Sequence, residues 1–395
     1  MNRAADNIRI LTAAMVEKAK SGHPGGAMGG ADFINVLFSE FLIYDPSNPF
    51  WEGRDRFYLD PGHMSPMLYS VLAMQGKFTL EDLQQFRQWG SVTPGHPERD
   101  IAHGIENTSG PLGQGHTFAA GAAVAEKYLE AHLGHEVMQH KIYAFISDGG
   151  IQEEISQGTG RLAGVLGLNN LIMFYDSNDV QLSTNCDVVM REDTEMKYKS
   201  WGWNVITING NDVDEIRKAL TLANQETERP TLIIGKTIMA KGAVQADGTS
   251  YEGDFRTHGA PLGGDAYINT IKNLGGDVEN PFVIYDDVAE LYAKRNAELK
   301  EIVAKRQEIE KQWAAENPEK AAKMAEWFSG KAPNIDWSNL VQKPNSPTRV
   351  ASAACLGVLS EQVKNMIVSS ADLCNSDRTD GFLKDTHNIT RGDFS

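Results

Sequence analysis

Four short runs of mostly apolar residues stand out along the chain: KIYAFIS at 141–147, NLIMFYD at 170–176, WNVITI at 203–208 and TLIIGK at 231–236. Each is too short for a helix and none alternates strictly with polar positions, so each predicts a strand buried on both faces. A further short strand is predicted at Arg56 to Leu59. Elsewhere apolar positions fall three and four apart, predicting helices over Ala4 to Lys20, over Ala31 to Leu42, from Ser65 onward and over Asp212 to Ala223. Strands that alternate with helices form a parallel sheet, because each helical crossover returns the chain to the same end of the sheet. The predicted class is α/β, a doubly wound parallel sheet with helices on both faces.

The pattern changes after the last run. From about Asp286 to Phe328 the chain is charged and helical without a strand-like run. Residues 329–347, which include KAPNIDWSNLVQKPNSP, are rich in Pro, Asn and Ser and read as an extended linker. A second helix-strand unit is then predicted, a helix in TRVASAACLGVLSEQV and a strand in NMIVSSADL. One helix and one strand leave a sheet edge and both faces uncovered. The expected organisation is one domain over 1–328, a linker over 329–347, and over 348–395 the incomplete start of a second, similar domain, so the chain is expected to be part of a longer protein.

Charge narrows the partners. With 37 Lys and Arg against 53 Asp and Glu, the formal net charge of −16 repels nucleic-acid backbones and anionic membrane surfaces. Phosphate would have to be handled in a local pocket. No segment approaches the roughly 20 apolar residues that span a bilayer, and the N-terminus lacks a signal-peptide core, so a cytoplasmic location is expected. Cys186, Cys355 and Cys374 are widely spaced and form no CxxC pair, which predicts reduced thiols instead of a disulfide or zinc framework.

Seven of the ten histidines stand beside a glycine. Four of these, His23, His63, His96 and His258, lie in SGHPGG, DPGHMS, TPGHPE and THGAPLGG, where the glycine lets backbone approach a ligand and the imidazole supplies a group titrating near pH 7. Two strand ends add oxygen donors. SDGG places Asp148 at the end of one predicted strand, and YDSND places Asn178 at the end of the next, 30 residues on. Ligands of open parallel sheets bind beyond the carboxyl ends of the strands, where a carboxylate, an amide oxygen and a backbone carbonyl suit Mg²⁺ or Ca²⁺. Gly149 and Gly150 would let phosphate approach the N–H groups of the following helix. GIENTSGPLGQG at 104–115 is a further glycine-rich turn, but it matches neither the dinucleotide fingerprint nor the P-loop.

Taken in order, SGHPGG, RDRFYLDPGH, TPGHPE, ENTSGPLGQG, SDGG with YDSND, and THGAPLG resemble the successive motifs of transketolase, a thiamine-diphosphate-dependent family. The resemblance implies a thiamine-diphosphate-binding fold whose second domain, starting near 348, binds the pyrimidine ring, in a homodimer with each active site between two chains. It implies Asp148, Asn178 and the Val180 carbonyl as ligands of Mg²⁺ or Ca²⁺. It places His63, Gly110, Leu112, Gly149 and His258 against thiamine diphosphate, and His23, His96 and His258 where sugar hydroxyls exchange protons. Arg349 and Ser376 match positions that grip the sugar phosphate, and Glu153 matches an acid at the dimer interface.

The implied activity is transfer of a two-carbon ketol unit from a ketose phosphate to an aldose phosphate in the pentose phosphate pathway, the histidines being suited to it by a pKa near the operating pH. Alternatives are deoxyxylulose-phosphate synthase, dihydroxyacetone synthase or a non-catalytic cofactor-binding fragment. The glutamate that activates the cofactor in this family is expected beyond residue 395, so the chain alone is expected to be inactive. Three positions depart from the pattern: Ser147 and Asp179 replace customary glycines, and His116 stands at a usually aliphatic position without an assigned role.

Overall fold

The apolar runs pair into a single five-stranded sheet in the structure, a computed structural model that describes residues 1–395. Its strands are β1 (Arg56–Leu59), β2 (Ile142–Ser147), β3 (Leu171–Ser177), β4 (Asn204–Asn209) and β5 (Thr231–Lys236). The order is β1-β2-β3-β5-β4 and every pairing is parallel. Register aligns the carboxyl ends, with Ser147 opposite Asp176 and Ser177 opposite Lys236.

Both faces of this sheet are covered, and the side-chain period of two sorts its residues between two cores. Tyr143, Phe145, Ile172, Phe174 and Ile233 enter one core, while Ile142, Ala144, Ile146, Met173, Leu232 and Ile234 enter the other. That is why the strands read as continuous apolar runs instead of alternating ones.

Helices α1 (Asn2–Ala19), α2 (Pro24–Gly29), α3 (Ala31–Val36), α4 (Ser65–Met74) and α5 (Leu80–Gln84) flank β1 in sequence. Then come α6 (Gln114–Leu133) before β2, α7 (Asp148–Gln152) and α8 (Glu154–Leu166) before β3, α9 (Thr194–Ser200) before β4, and α10 (Val213–Gln225) before β5. Beyond the sheet follow α11 (Gly264–Asn273), α12 (Asp286–Glu316) and α13 (Pro318–Trp327), and after the linker α14 (Thr348–Gln362) and α15 (Cys374–Asp377). The first core packs α1, α3, α4 and α10 on the sheet, and the second packs α6 and α8. Phe33 of α3 stacks on Phe174 with ring centroids 3.8 Å apart.

Helix α1 is buried from Ala4 to Val16 except at Asp6. It carries Arg9 into the interior, where the guanidinium is held by Asp32, by Asp6 at 2.7 Å and by the Met28 carbonyl at 3.0 Å. The helix predicted over Ala31 to Leu42 is continuous, but from Leu37 to Phe41 it widens into a π-turn.

One prediction fails. NMIVSSADL forms no strand, and no second sheet begins after the linker. A strand's N–H and C=O groups need a neighbouring strand, and none stands beside this segment. Met366 to Ser370 instead line a surface cavity together with Val124 and Tyr128 of α6 and Leu162 and Leu166 of α8, and Phe394 is buried in the second core. No helix is long and apolar enough to cross a membrane.

Candidate active site

Strands β2 and β3 end side by side and deliver Asp148 and Asn178 to one point. The Asp148 carboxylate does not cap its own helix; Ser147 does, its hydroxyl accepting from Gly150 N at 3.3 Å. Asp148 instead ties the two strand ends together. Its Oδ2 accepts from the N–H groups of Asn178 and Asp179, each at 3.0 Å, and its Oδ1 accepts from the Tyr175 hydroxyl. The Asn178 side chain donates to Asp176 at 2.9 Å and accepts from Val180 N at 3.1 Å.

Burial pushes the Asp148 carboxyl up to about 6 and that of Asp176 to about 7, against the hydrogen bonds that favour their charged forms. The helix after Asp148 is only five residues long, so it supplies less of an anion-binding N-terminus than the sequence implied.

The two departures at this point have physical accounts. Ser147 provides the cap just described. Asp179 adopts φ of 62°, a left-handed conformation that Asp tolerates better than most residues. Its side chain turns outward to Lys236 at 3.4 Å, away from the strand ends.

The four loop histidines converge. Ring centroids of His23 lie 5.1 Å from His63, 6.3 Å from His96 and 5.8 Å from His258, and His63 lies 5.3 Å from His258. Three stand in or beside short helical turns: His23 precedes α2, His63 sits in a single 3₁₀ turn before α4, and His258 follows another such turn. Burial, joined by repulsion from His258, Arg87 and His96, lowers the His23 pKa to about 4. Burial also holds His63, His96 and His258 below their ordinary value. These imidazoles are therefore neutral hydrogen-bonding groups at pH 7, not the near-neutral titrating groups that free histidine would suggest.

All of this surrounds one cavity of about 580 Å³, within the range of small-molecule sites. Asp148, Asn178 and Val180 line it together with His23, His63, His96 and His258 and with Gly110, Leu112 and Gly149. Glu153 stands exposed at its rim. Arg349 and Ser376 do not join the group; both are exposed and outside the cavity. His116 is fully buried with neither ring nitrogen hydrogen-bonded, and it does not line the cavity.

Two residues of consequence were not singled out from the sequence. Asp60, fully buried at the end of β1, accepts from Gly113 N at 3.0 Å and His116 N at 3.2 Å and so latches the glycine-rich loop that opens α6. The close approach needs glycine: a Cβ at Gly150 would stand 2.3 Å from the Asp60 carboxylate. Its signal was present in RDRFYLDPGH, a strand ending in an acid just as YAFISDGG does. The second, Arg87, reaches His23 across 64 residues of sequence.

His, Cys, Asp and Glu side chains nowhere gather in threes to hold a metal, so a cation would need the mixed carboxylate, amide and carbonyl set at the β2 and β3 ends. Asp148 and Asp176, 2% and 0% exposed, are buried acids with no lysine or arginine paired to either. Buried charge without a counter-ion is costly, and a bound divalent cation relieves it. The residues present therefore fit a metal-bridged diphosphate.

Sheet, strand-end acids and histidine cavity together define an α/β domain of the thiamine-diphosphate-binding class. The family profile described as transketolase, thiamine diphosphate binding domain, matches residues 1–333, and the chain belongs to the transketolase family. Transketolase 1 of Pasteurella multocida is 40% identical over 391 residues, covering 95% of this chain and 57% of the relative. The transketolase of Halalkalibacterium halodurans is 37% identical, covering 99% of this chain and 59% of the relative. Among solved structures, the transketolase of Leishmania mexicana superposes with a TM-score of 0.90 at 34% identity over 96% of this chain and 57% of that one. A Pichia stipitis transketolase in complex with sedoheptulose-7-phosphate superposes with a TM-score of 0.88 at 32% identity, over 96% and 56% of the two chains. The chain thus spans less than three fifths of the length of these relatives. The family's cofactor is thiamine diphosphate.

Proposed function

We propose that the chain forms the diphosphate-binding part of a transketolase, which moves a two-carbon ketol unit from a ketose phosphate to an aldose phosphate. The observation that carries this reading is the convergence of His23, His63, His96 and His258 on the cavity that Asp148 and Asn178 line.

The carboxylate of Asp148, the side-chain oxygen of Asn178 and the Val180 carbonyl would hold Mg²⁺ or Ca²⁺, all being hard oxygen donors. His63, Gly110, Leu112, Gly149 and His258 would then contact thiamine diphosphate, with His63 and His258 near its diphosphate. Thiamine diphosphate, when bound, supplies the carbon nucleophile and electron sink for breaking and making the carbon–carbon bond. The chain's own part is positioning and proton transfer. His23, His96 and His258 would donate to and accept from the sugar hydroxyls, and the negative charge of bound phosphates would raise their lowered pKa values toward the working range. Arg349 and Ser376 would grip the sugar phosphate in a site completed by a second copy, since both are exposed and neither lines this cavity. The working assembly is then a homodimer of the full-length protein, placed in the cytoplasm.

Calorimetric titration of the chain with thiamine diphosphate tests the cofactor reading. Binding that requires Mg²⁺ is expected, and absence of binding with Mg²⁺ present would overturn it. For the full-length polypeptide, turnover of xylulose 5-phosphate with ribose 5-phosphate is expected, and turnover only of pyruvate with glyceraldehyde phosphate would assign a different thiamine-dependent reaction.

A further inference from the structure

Arg87 lies with its guanidinium carbon 5.6 Å from the centroid of the Phe86 ring and in no ion pair. Its backbone has φ of 62°, the left-handed region that an arginine adopts only under constraint. Its N–H is pinned to the Thr93 carbonyl at 3.0 Å. No carboxylate pairs with its guanidinium. One arm donates to the Ser21 hydroxyl at 3.0 Å, the other meets His23 Nδ1 at 3.4 Å, and Nε is buried without a partner.

The glycines of two histidine motifs make room for this arrangement. In TPGHPE, a Cβ at Gly95 would stand 2.6 Å from Arg87 Nε; in SGHPGG, a Cβ at Gly22 would stand 3.1 Å from the ring of Phe86. The first loop is shaped around Arg87 and the second around Val16 and Phe86.

We propose that Arg87 is a positioning residue that sets the tautomer of His23: the guanidinium donates to Nδ1, so the ring proton sits on Nε2 and the imidazole meets the cavity as a hydrogen-bond donor. Guanidinium has no acceptor, so any hydrogen bond between the two requires Nδ1 to be unprotonated. No protein group bonds Nε2, leaving it free for a ligand oxygen. The consequence for catalysis rests on the transketolase reading, in which that oxygen belongs to the sugar. The tautomer itself does not.

Long-range ¹⁵N–¹H correlation spectra of the ¹⁵N-histidine-labelled chain at neutral pH read the tautomer directly, with His23 assigned by the signal lost in His23→Gln. In the unaltered chain the Nε2–H form should exceed the Nδ1–H form by about tenfold or more. Arg87→Glu replaces the donor by an acceptor and should make Nδ1–H the major form. Gly95→Ala, which displaces the guanidinium and keeps its charge, should raise the Nδ1–H population at least about threefold. A major Nδ1–H form in the unaltered chain, or a ratio that neither substitution moves, overturns the proposal. The measurement needs no substrate, so its failure is distinct from failure of the transketolase assay.

Discussion

The burial of Asp60 makes a test of how this site is held together. Substituting Asp60→Asn keeps the size of the side chain and one acceptor while removing the charge. Burial raises the Asp60 carboxyl from 3.8 to about 6, against the pull of the N–H groups of Gly113, His116 and Gly115. That difference amounts to about 3 kcal/mol between the charged and neutral forms. The sign follows from proton binding. Between these two values the folded chain holds more protons than the unfolded one, so the Asp60 contribution is fully present below 3.8 and is lost as pH rises through about 6. Between about pH 4.5 and about pH 7.5, roughly 2 kcal/mol of it disappears.

Asn cannot titrate, so the gap in unfolding free energy between the two proteins should move toward Asp60→Asn by that amount over this interval. Turning an amide N–H toward Gly113 N or His116 N costs the variant the same at both ends, so this cost drops out of the difference. Urea unfolding followed by tryptophan fluorescence at the two pH values provides the measurement. A gap that stays constant within about 0.5 kcal/mol, or that moves in favour of Asp60, would refute the reasoning. It would show that the backbone N–H groups and the positive end of α6 outweigh burial.

Asp148→Asn should remove Mg²⁺-dependent thiamine diphosphate binding in calorimetry while leaving the far-UV circular dichroism intact. If metal and diphosphate share this point, each should tighten the other by the same factor, about 5- to 150-fold; titrating Mg²⁺ with and without thiamine diphosphate measures it, and independent affinities would contradict a shared site. Asp179→Val places a β-branched residue at φ of 62° and should cost about 1–2 kcal/mol in urea unfolding, whereas Asp179→Gly should be close to neutral. Phe174→Ala removes a ring that stacks at 3.8 Å on Phe33 and should cost about 3–5 kcal/mol by the same measurement.

The strands were legible because a parallel sheet covered on both faces demands uninterrupted apolar runs, and the chain supplies them at 142–147, 171–177 and 231–236. NMIVSSADL has the same composition and failed, because composition makes a strand possible and only a neighbouring strand makes it form. The loop histidines were legible through their glycines, but their neutrality was not. It arises from burial and from one another, and both depend on contacts between loops far apart in sequence. Asp60 was missed for the same reason: its partners lie 53 and 56 residues away. The left-handed backbone of Asp179, with its side chain turned to Lys236, likewise appears only in three dimensions.

These contacts also impose an order on what the cavity can accept. At pH 7 its histidines are neutral, so the charged groups of the cavity are acids: Glu153 at the rim, Asp148, and Asp176, which at about 7 is only partly ionised. A diphosphate approaching this arrangement alone meets buried carboxylates, which repel it, while the neutral imidazoles offer hydrogen bonds without net attraction. A divalent cation held by Asp148, Asn178 and the Val180 carbonyl would reverse the balance by offsetting the charge of the acids. Phosphate charge beside the imidazoles would then favour their protonated forms. The lowered histidine pKa values and the raised acid pKa values are thus one feature: a pocket whose electrostatics are completed by cation and diphosphate together, with Arg87 as the fixed positive group that keeps His23 oriented before either arrives.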